Sequence, residues 1–457
     1  MGQFEKVRLS EEGKRKLREA YTADGLSQES LAQKANTSVD TVKRLLETKS
    51  PYGAERWLAT KIAALVGLKL TELGVPECCN IKHQLPEEFE ALIEEKTRSF
   101  CGRKFVFDAF EQFLDKQPKG YFTVVGDAGM GKSALAAKYV LEHHAICYFN
   151  ILAEQRNRPE FFLESIRQQL IRRYQLQGAE KVNLATLLEK ASQKLLADER
   201  LVIVVDALDE VEQEPGENLL HLPMTLPDRV YFLLTRRPHS LQKKRLTVSP
   251  GIPVKDLDLT TQEYESFNQA DVKAYIHLML HQDLTHQVTL QKWIEVRNLR
   301  EEEFVEQVAA KSENNFMYLR YMLPAIAEGV YDDLTLKQLP QGLQEYYQTH
   351  WVRMGMDDIA QERIVVVLFI LVEVGTPIPC EIIAAVAEEE EYGVYHILEE
   401  KWREYLRQQV IEEELCYSIY HTSFIDFLKA KWELKPTRKL FQNVNQRIVD
   451  YIEQEMT

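Results

Sequence analysis

The chain has 457 residues, more than a single hydrophobic core serves, so several compact units are expected. A composition 45% hydrophobic and 28% charged is that of a globular protein and excludes disordered or collagen-like chains. A formal charge of −15 excludes a general nucleic-acid binder, although residues 1–72, with 13 Lys and Arg against 10 Asp and Glu, are net positive by +3. Six cysteines (Cys78, Cys79, Cys101, Cys147, Cys380, Cys416) show neither disulfide nor metal spacing, which points to a reduced, cytoplasmic chain. The longest apolar run, Ile364–Val372, is too short to span a bilayer, and no basic-then-apolar leader opens the sequence. No membrane association is expected.

Taken in order, residues 1–74 predict a small all-helical domain. Helices are expected over 11–21, 27–35 (capped by Ser27), 39–47 (capped by Ser38) and 53–65. Leu26, Ser27, Gln28, Leu31, Ala32, Ser38 and Val42 follow a pattern that resembles the phage-repressor type of helix-turn-helix. That resemblance implies a third helix whose Asp40, Thr41, Lys43 and Arg44 face a DNA groove, with Gln28 on phosphate. A charge of only +3 beside an acidic body favours protein contact over DNA for this domain. Residues 75–96 read as a linker ending in a lead-in helix.

The nucleotide-binding unit is expected over 97–260. The run Tyr121–Val125 is a buried strand, and GDAGMGKS follows at once, the G-x-x-x-x-G-K-[ST] phosphate signature, ahead of a helical run. Amides of Gly126, Asp127, Ala128, Gly129, Met130, Gly131, Lys132, Ser133 and Ala134, at the positive end of that helix, form an anion cradle for ATP or ADP. Lys132 is expected on the terminal phosphates and the Ser133 hydroxyl on Mg²⁺. A second strand is predicted at Ile146–Asn150 and a third at Leu201–Val205. The third ends in Asp206, a ligand of Mg²⁺ through its water shell. Asp209 or Glu210, one loop on, would handle the attacking water. Strands at Val230–Leu234 and Ile252–Leu259 complete a parallel sheet covered on both faces, and the fold class is an α/β P-loop NTPase of AAA+-like type.

Past residue 261 the strands stop. Helices at Asp271–Leu280, Glu301–Ala310 and Asn315–Ala325 make a helical subdomain over 261–348. Further helices (Tyr347–Met354, Ile359–Val374, Pro377–Ala387, Tyr392–Gln409), strands at Val410–Glu412 and Cys416–Tyr420 and the run HTSFIDFLKA predict a winged helix over 349–435. A last helix, Thr437–Gln454, falls in 436–457.

Phosphate loop, LVIVVDALDE, LLTRRP, helical subdomain and H-x-S-F-x-x-F-L together resemble the NACHT branch of the STAND signal-transduction ATPases, relatives of the apoptosome and of immune receptors. The resemblance covers roughly 97–435. It implies that Arg237, with Arg236 beside it, senses the terminal phosphate. It implies that His421, followed by Ser423, Phe424, Phe427 and Leu428, contacts the β-phosphate of ADP and locks a closed state. Without the family, His421 is a histidine at a strand end with a structural role. Arg103, in FCGR, is implied on the adenine side. Phe316 is implied near the base, although an Asn stands where the family's helical subdomain has a Gly for close backbone approach. The implied function is a slow ATPase used as a switch, closed with ADP and open with ATP–Mg²⁺, controlling self-association and signalling, bacterial defence included. The alternative is an ATP-dependent transcription regulator that binds DNA through its N-terminal domain. Such proteins carry a repeat sensor, WD40 or TPR, after the winged helix; none follows here, and a truncation or a minimal switch is expected.

Overall fold

The computed structural model describes residues 85–457 apart from 197, 214–217, 239–245, 357–361, 432–434, 436–438 and 456–457. Ahead of these it describes 6–7, 9, 11–23, 26–35, 42–43, 46, 54–55, 59, 62–66, 68 and 73. The chain divides into two compact units, 1–85 with 142–144, and 86–141 with 145–457.

In the first unit, strand β1 (Lys6–Val7), helix α1 (Glu11–Ala23) and helix α2 (Gln28–Ala35) precede strand β2 (Ala54–Glu55), which pairs antiparallel with β1. Leu17, Leu31, Val42, Ile62 and Ala63 are fully buried together, so the apolar periodicity of the predicted helices does mark a core. The all-helical expectation is corrected. Ala54 and Glu55 form a strand where a helix over 53–65 was predicted, directly after Gly53, a poor helix former. Of the residues expected to face a groove, Lys43 is helical and exposed, while Asp40, Thr41 and Arg44, like the cap Ser38, lie outside the described residues.

The second unit begins with α3 (Glu87–Thr97), the expected lead-in helix. Its buried Phe89 packs on the rings of Tyr148 and Phe149, which seats it against the sheet. Helix α4 (Lys104–Lys116) follows, then β3 (Gly120–Val125), α5 (Lys132–His143), β4 (Ile146–Phe149), α6 (Pro159–Tyr174), α7 (Leu184–Ser192), β5 (Leu201–Asp206), β6 (Val230–Arg236) and β7 (Val254–Asp258). The five strands form one parallel sheet in the order β4-β5-β6-β3-β7. Strands β3, β4 and β5 are buried along their whole length, as continuous apolar runs require between two helical layers. The edge strand β7 keeps Val254, Lys255 and Asp256 exposed, and its charges discourage further pairing. One strand, β6, separates the strand that feeds the phosphate loop from the one that ends in Asp206.

Four helices follow: α8 (Glu265–His281), α9 (Gln287–Val296), α10 (Glu301–Ser312) and α11 (Phe316–Ala327). Helix α9 was not anticipated. It has no side-chain cap and buries only Leu290, Trp293 and Ile294, so its sequence signal is weak. Then come α12 (Gly342–Arg353), α13 (Glu362–Val374), β8 (Ile378–Pro379), α14 (Cys380–Ala387), α15 (Glu391–His396), β9 (Leu406–Ile411), β10 (Glu414–Ile419), α16 (Thr422–Ala430) and α17 (Lys439–Glu455).

The sheet here is three-stranded and antiparallel, β8-β10-β9. The predicted helix Tyr392–Gln409 is therefore wrong over its second half. The α-helix stops at His396, a π turn covers Ile397–Lys401, and the chain is extended from Leu406. Trp402 and Tyr405 are drawn fully into the core, and Arg407–Val410 gain ladder partners on β10, which outweighs helix propensity. One hydrophobic core runs unbroken from Val272 to Val444. At its centre Tyr321 of α11 lies 5.2 Å from Tyr405, which stacks on Phe424 of α16 at 4.5 Å, with Tyr347 of α12 5.2 Å from Phe424. No described helix is long and apolar enough to cross a membrane.

Candidate functional site

The phosphate loop turns at Gly129 (φ 85°) and Gly131 (φ 80°), a left-handed backbone that leaves amides pointing one way. At Gly129 a side chain is excluded twice, since a Cβ there would fall 2.2 Å from the Asn315 Oδ1. Among the described residues the N–H groups of Gly129, Gly131 and Lys132 have no hydrogen-bond partner. With the first turn of α5 they form an anion-accepting cradle. The Lys132 Nζ folds back on the loop, donating to the carbonyls of Gly126 (2.8 Å) and Asp127 (2.9 Å). Burial pulls its pKa down, against Asp209 and Asp206.

The loop is braced from behind by Arg103. This guanidinium is buried and donates to the Met130 carbonyl (2.6 Å) and the Asn268 Oδ1 (2.5 Å), and it lies 5.0 Å from the Phe316 ring. Burial lowers its pKa to about 10, with Asp271 opposing. Arg103 also lines the cavity, so the side chain that holds the Met130 carbonyl is part of its wall. From outside, the N-terminus of α11 sits on the same loop. The Phe316 N–H donates to the Gly129 carbonyl (2.9 Å), and the Asn315 Nδ2 donates to that of Ala128 (2.9 Å). The Asn315 Oδ1 meanwhile caps α11 at Met317 and Tyr318. Asn314, the residue in place of Gly, takes a left-handed backbone (φ 60°) and turns its Nδ2 to Glu265 (3.0 Å), while its neighbours Asn315 and Phe316 make the close approach to the loop.

Across the cradle, Asp206 is buried at the end of β5. It accepts from the Thr235 Oγ1 (2.5 Å); burial raises its pKa, while Thr235 and the nearby Ser133 hydroxyl oppose the rise. Thr235, on the intervening strand β6, also receives the Ala207 N–H (2.9 Å). Sequence reading passed over it, although its place before Arg236-Arg237 at a strand end was the available signal. The Asn150 Oδ1, buried on the same wall, has no partner among the described residues, while its Nδ2 donates to the Asp206 carbonyl (2.6 Å). A hydroxyl, a carboxylate and an orphaned acceptor around one corner fit a hydrated Mg²⁺.

The two candidate bases differ. Asp209 accepts the Arg237 N–H (3.0 Å) and pairs with its Nε (3.2 Å). Among the described residues the Glu210 carboxylate receives only a long contact from the Leu152 N–H (3.4 Å), and burial with the neighbouring Asp209 charge pushes its pKa up to about 7. A carboxyl held above its ordinary value of 4.5 favours folding at acid pH, and that contribution is lost as pH rises from there through about 7. Glu210→Gln is expected to flatten this fall. Thermal melts of both proteins at pH 5 and pH 8 check it.

The C-terminal half closes the cavity. His421 caps α16, its Nδ1 accepting the Ser423 N–H (3.2 Å) beside the Ser423 hydroxyl (2.6 Å). Burial, then the charges of Lys96, Arg237, Lys132 and Arg320, lower its pKa to about 3, so the ring is neutral. With Nδ1 accepting, the proton sits on Nε2, which has no partner among the described residues. Tyr420, next to it, donates to Glu95 (2.5 Å), receives Lys96 Nζ (2.9 Å) and lies under Arg320 (4.7 Å), which ties the end of β10 to α3 and α11. Arg237 crosses to α16, its NH1 on Asp426 (2.6 Å) and its NH2 on the Thr422 hydroxyl. Burial works against its charge, but Asp426, Asp209 and Glu210 outweigh this and raise its pKa. Arg236 turns away, to Asp256 (2.8 Å).

All of this surrounds one cavity of about 520 Å³, lined by Arg103, Ala128, Gly129, Gly131, Lys132, Ser133, Ala134, Asp206, Asp209, Glu210, Arg237, Phe316 and His421. Of the predicted site residues, Gly126, Asp127 and Met130 stand behind this wall and shape the loop.

Residues 120–283 match the NACHT domain family. The NACHT match begins on β3, takes in the phosphate loop and both candidate bases, and ends just past α8. Among solved structures the chain resembles Drosophila ORC bound to DNA (13% identity, TM-score 0.36, covering 74% of this chain and 97% of that one). It also resembles the Thermotoga maritima RuvB Holliday junction branch migration motor (13%, 0.24, covering 77% and 99%). A DNA polymerase III gamma subunit-related protein of Thermotoga maritima is similar over 50% of this chain and 77% of its own (12%, 0.23). No curated protein matches.

Proposed function

We propose that the chain is a nucleotide-operated switch: ADP holds it closed, ATP–Mg²⁺ opens it for self-association, and slow hydrolysis resets it. The observation that carries this reading is the convergence of Lys132, at the start of α5, and His421, from the C-terminal half, on one cavity. A P-loop enzyme that only turned over would need no histidine from a helix about 290 residues away in the sequence.

In this reading the loop amides and Lys132 bind the phosphates, Ser133 and Asp206 hold Mg²⁺, and the His421 Nε2–H donates to a β-phosphate oxygen. Mg²⁺, when bound, would neutralise charge on the phosphates and polarise them. Glu210 is the base, because Asp209 is committed to Arg237, and Arg237 answers the γ-phosphate. Residues 261–348 are the helical subdomain and 349–435 the winged helix, with β8-β10-β9 its sheet. The N-terminal unit is the output module, a protein-docking domain in signalling.

The test is the nucleotide that copurifies with the full chain, together with particle mass in ADP and in ATP–Mg²⁺. Bound ADP with a monomer, and a larger particle in ATP, are expected. A nucleotide-free chain, or equal mass in both, would overturn the reading.

A further inference from the structure

Three donor nitrogens of Arg237 are engaged at once. Nε holds Asp209, NH1 holds Asp426 and NH2 holds the Thr422 hydroxyl. Thr422 and Asp426 stand four apart on α16, so they share the face presented to Arg237. The residue before them, His421, lines the same cavity, and its Nε2 has no partner among the described residues. One helix start thus carries both a neutral donor suited to a phosphate oxygen and an anion that grips the arginine. Within HTSFIDFL, His421, Ser423, Phe424, Phe427 and Leu428 were accounted for by sequence reading, whereas Thr422 and Asp426 were left without a role.

We infer that Asp426 is the residue that makes the closed arrangement discriminate between di- and triphosphate. The inference rests on the switch reading above. A γ-phosphate needs a cation, and Arg237 is the arginine of this wall that adjoins the carboxylates Asp209 and Glu210. In the closed arrangement its guanidinium is already neutralised by a carboxylate on α16. An added phosphate must therefore displace Asp426 and face its negative charge. A diphosphate ends before that point and leaves the clasp intact, with His421 as its contact. A carboxylate favours the ADP form and opposes the ATP form through the same atoms; an amide would keep the hydrogen bond and lose the opposition. Half-exposed, Asp426 adds little to stability as an ion pair alone, so its effect belongs in nucleotide preference.

The test compares the full chain with Asp426→Asn and Asp426→Glu, measuring affinity for ADP and ATP by calorimetry with Mg²⁺ and melting temperature without nucleotide. Asp426→Asn is expected to lower the ADP-to-ATP preference at least tenfold, chiefly by tightening ATP, with a nearly unchanged melting temperature. Asp426→Glu, which keeps the charge, is expected to retain most of the preference. A preference in Asp426→Asn within twofold of the parent would overturn the inference and leave the switch reading standing, whatever the melting temperature does. A parent chain that binds neither nucleotide would overturn both.

Discussion

Lys132→Ala is expected to abolish measurable nucleotide binding. The ammonium is the cation at the mouth of the helix-start cradle, and Asp206, Asp209 and Glu210 gather on the facing wall. With the amine gone, phosphates would enter a partly buried site dominated by carboxylates. Removing one partner of a buried charge pair costs about 3–5 kcal/mol, or roughly 10²- to 10⁴-fold in affinity. The side chain already has a resting place on the Gly126 and Asp127 carbonyls, so the loop keeps its lysine ready without stretching it across the cavity. Because Arg103 and α11 hold the loop independently, the variant should fold. Calorimetric titration with ADP, alongside a melting curve, checks both halves; tight binding by the variant would remove Lys132 from the site.

The second large effect is expected at His421, and the substitution must respect the ring's double duty. Its Nδ1 is a helix cap and its Nε2 the free donor, so alanine would remove both and confuse loss of stability with loss of contact. Serine is itself a good cap and has no group in place of Nε2. A hydrogen bond to a charged phosphate is worth roughly 1.5–3 kcal/mol, about 10- to 150-fold in the closed-to-open ratio. His421→Ser is thus expected to release ADP 10- to 150-fold faster, at a melting temperature close to the parent's and with more of the larger particle. Stopped-flow displacement of a fluorescent ADP analogue measures the release. An unchanged rate would leave the histidine as a cap alone.

The parts legible in the sequence were those governed by local rules. The strand–glycine loop–helix run, the apolar strand ending in Asp206 and the acidic pair each announce themselves within a short contiguous stretch, and the sheet follows from their spacing. What was hidden depends on contacts distant in sequence. Thr235 matters because β6 lies between β3 and β5, a fact of strand order. Asn315 reaches the loop across 187 positions, and Asp426 reaches Arg237 across 189. The helix predicted over Tyr392–Gln409 gives way after His396 to a π turn and a strand, because burial of Trp402 and Tyr405 in an aromatic core outweighs propensity. The histidine was singled out through a family pattern, whereas the cap made by its Nδ1 emerges from geometry alone.

The aromatic cluster has a thermodynamic consequence for any switch built here. An opening that parts Tyr321 from Tyr405 would carry ring surface into water, since α11, α12 and α16 share one continuous core. Such exposure raises heat capacity. The balance between closed and open would then be curved in temperature, with the closed form held most firmly over a middle range and loosened by chilling as well as by warming. In the proposed switch the phosphate contacts would set which nucleotide keeps the protein shut, and the buried tyrosines the temperatures at which it stays so.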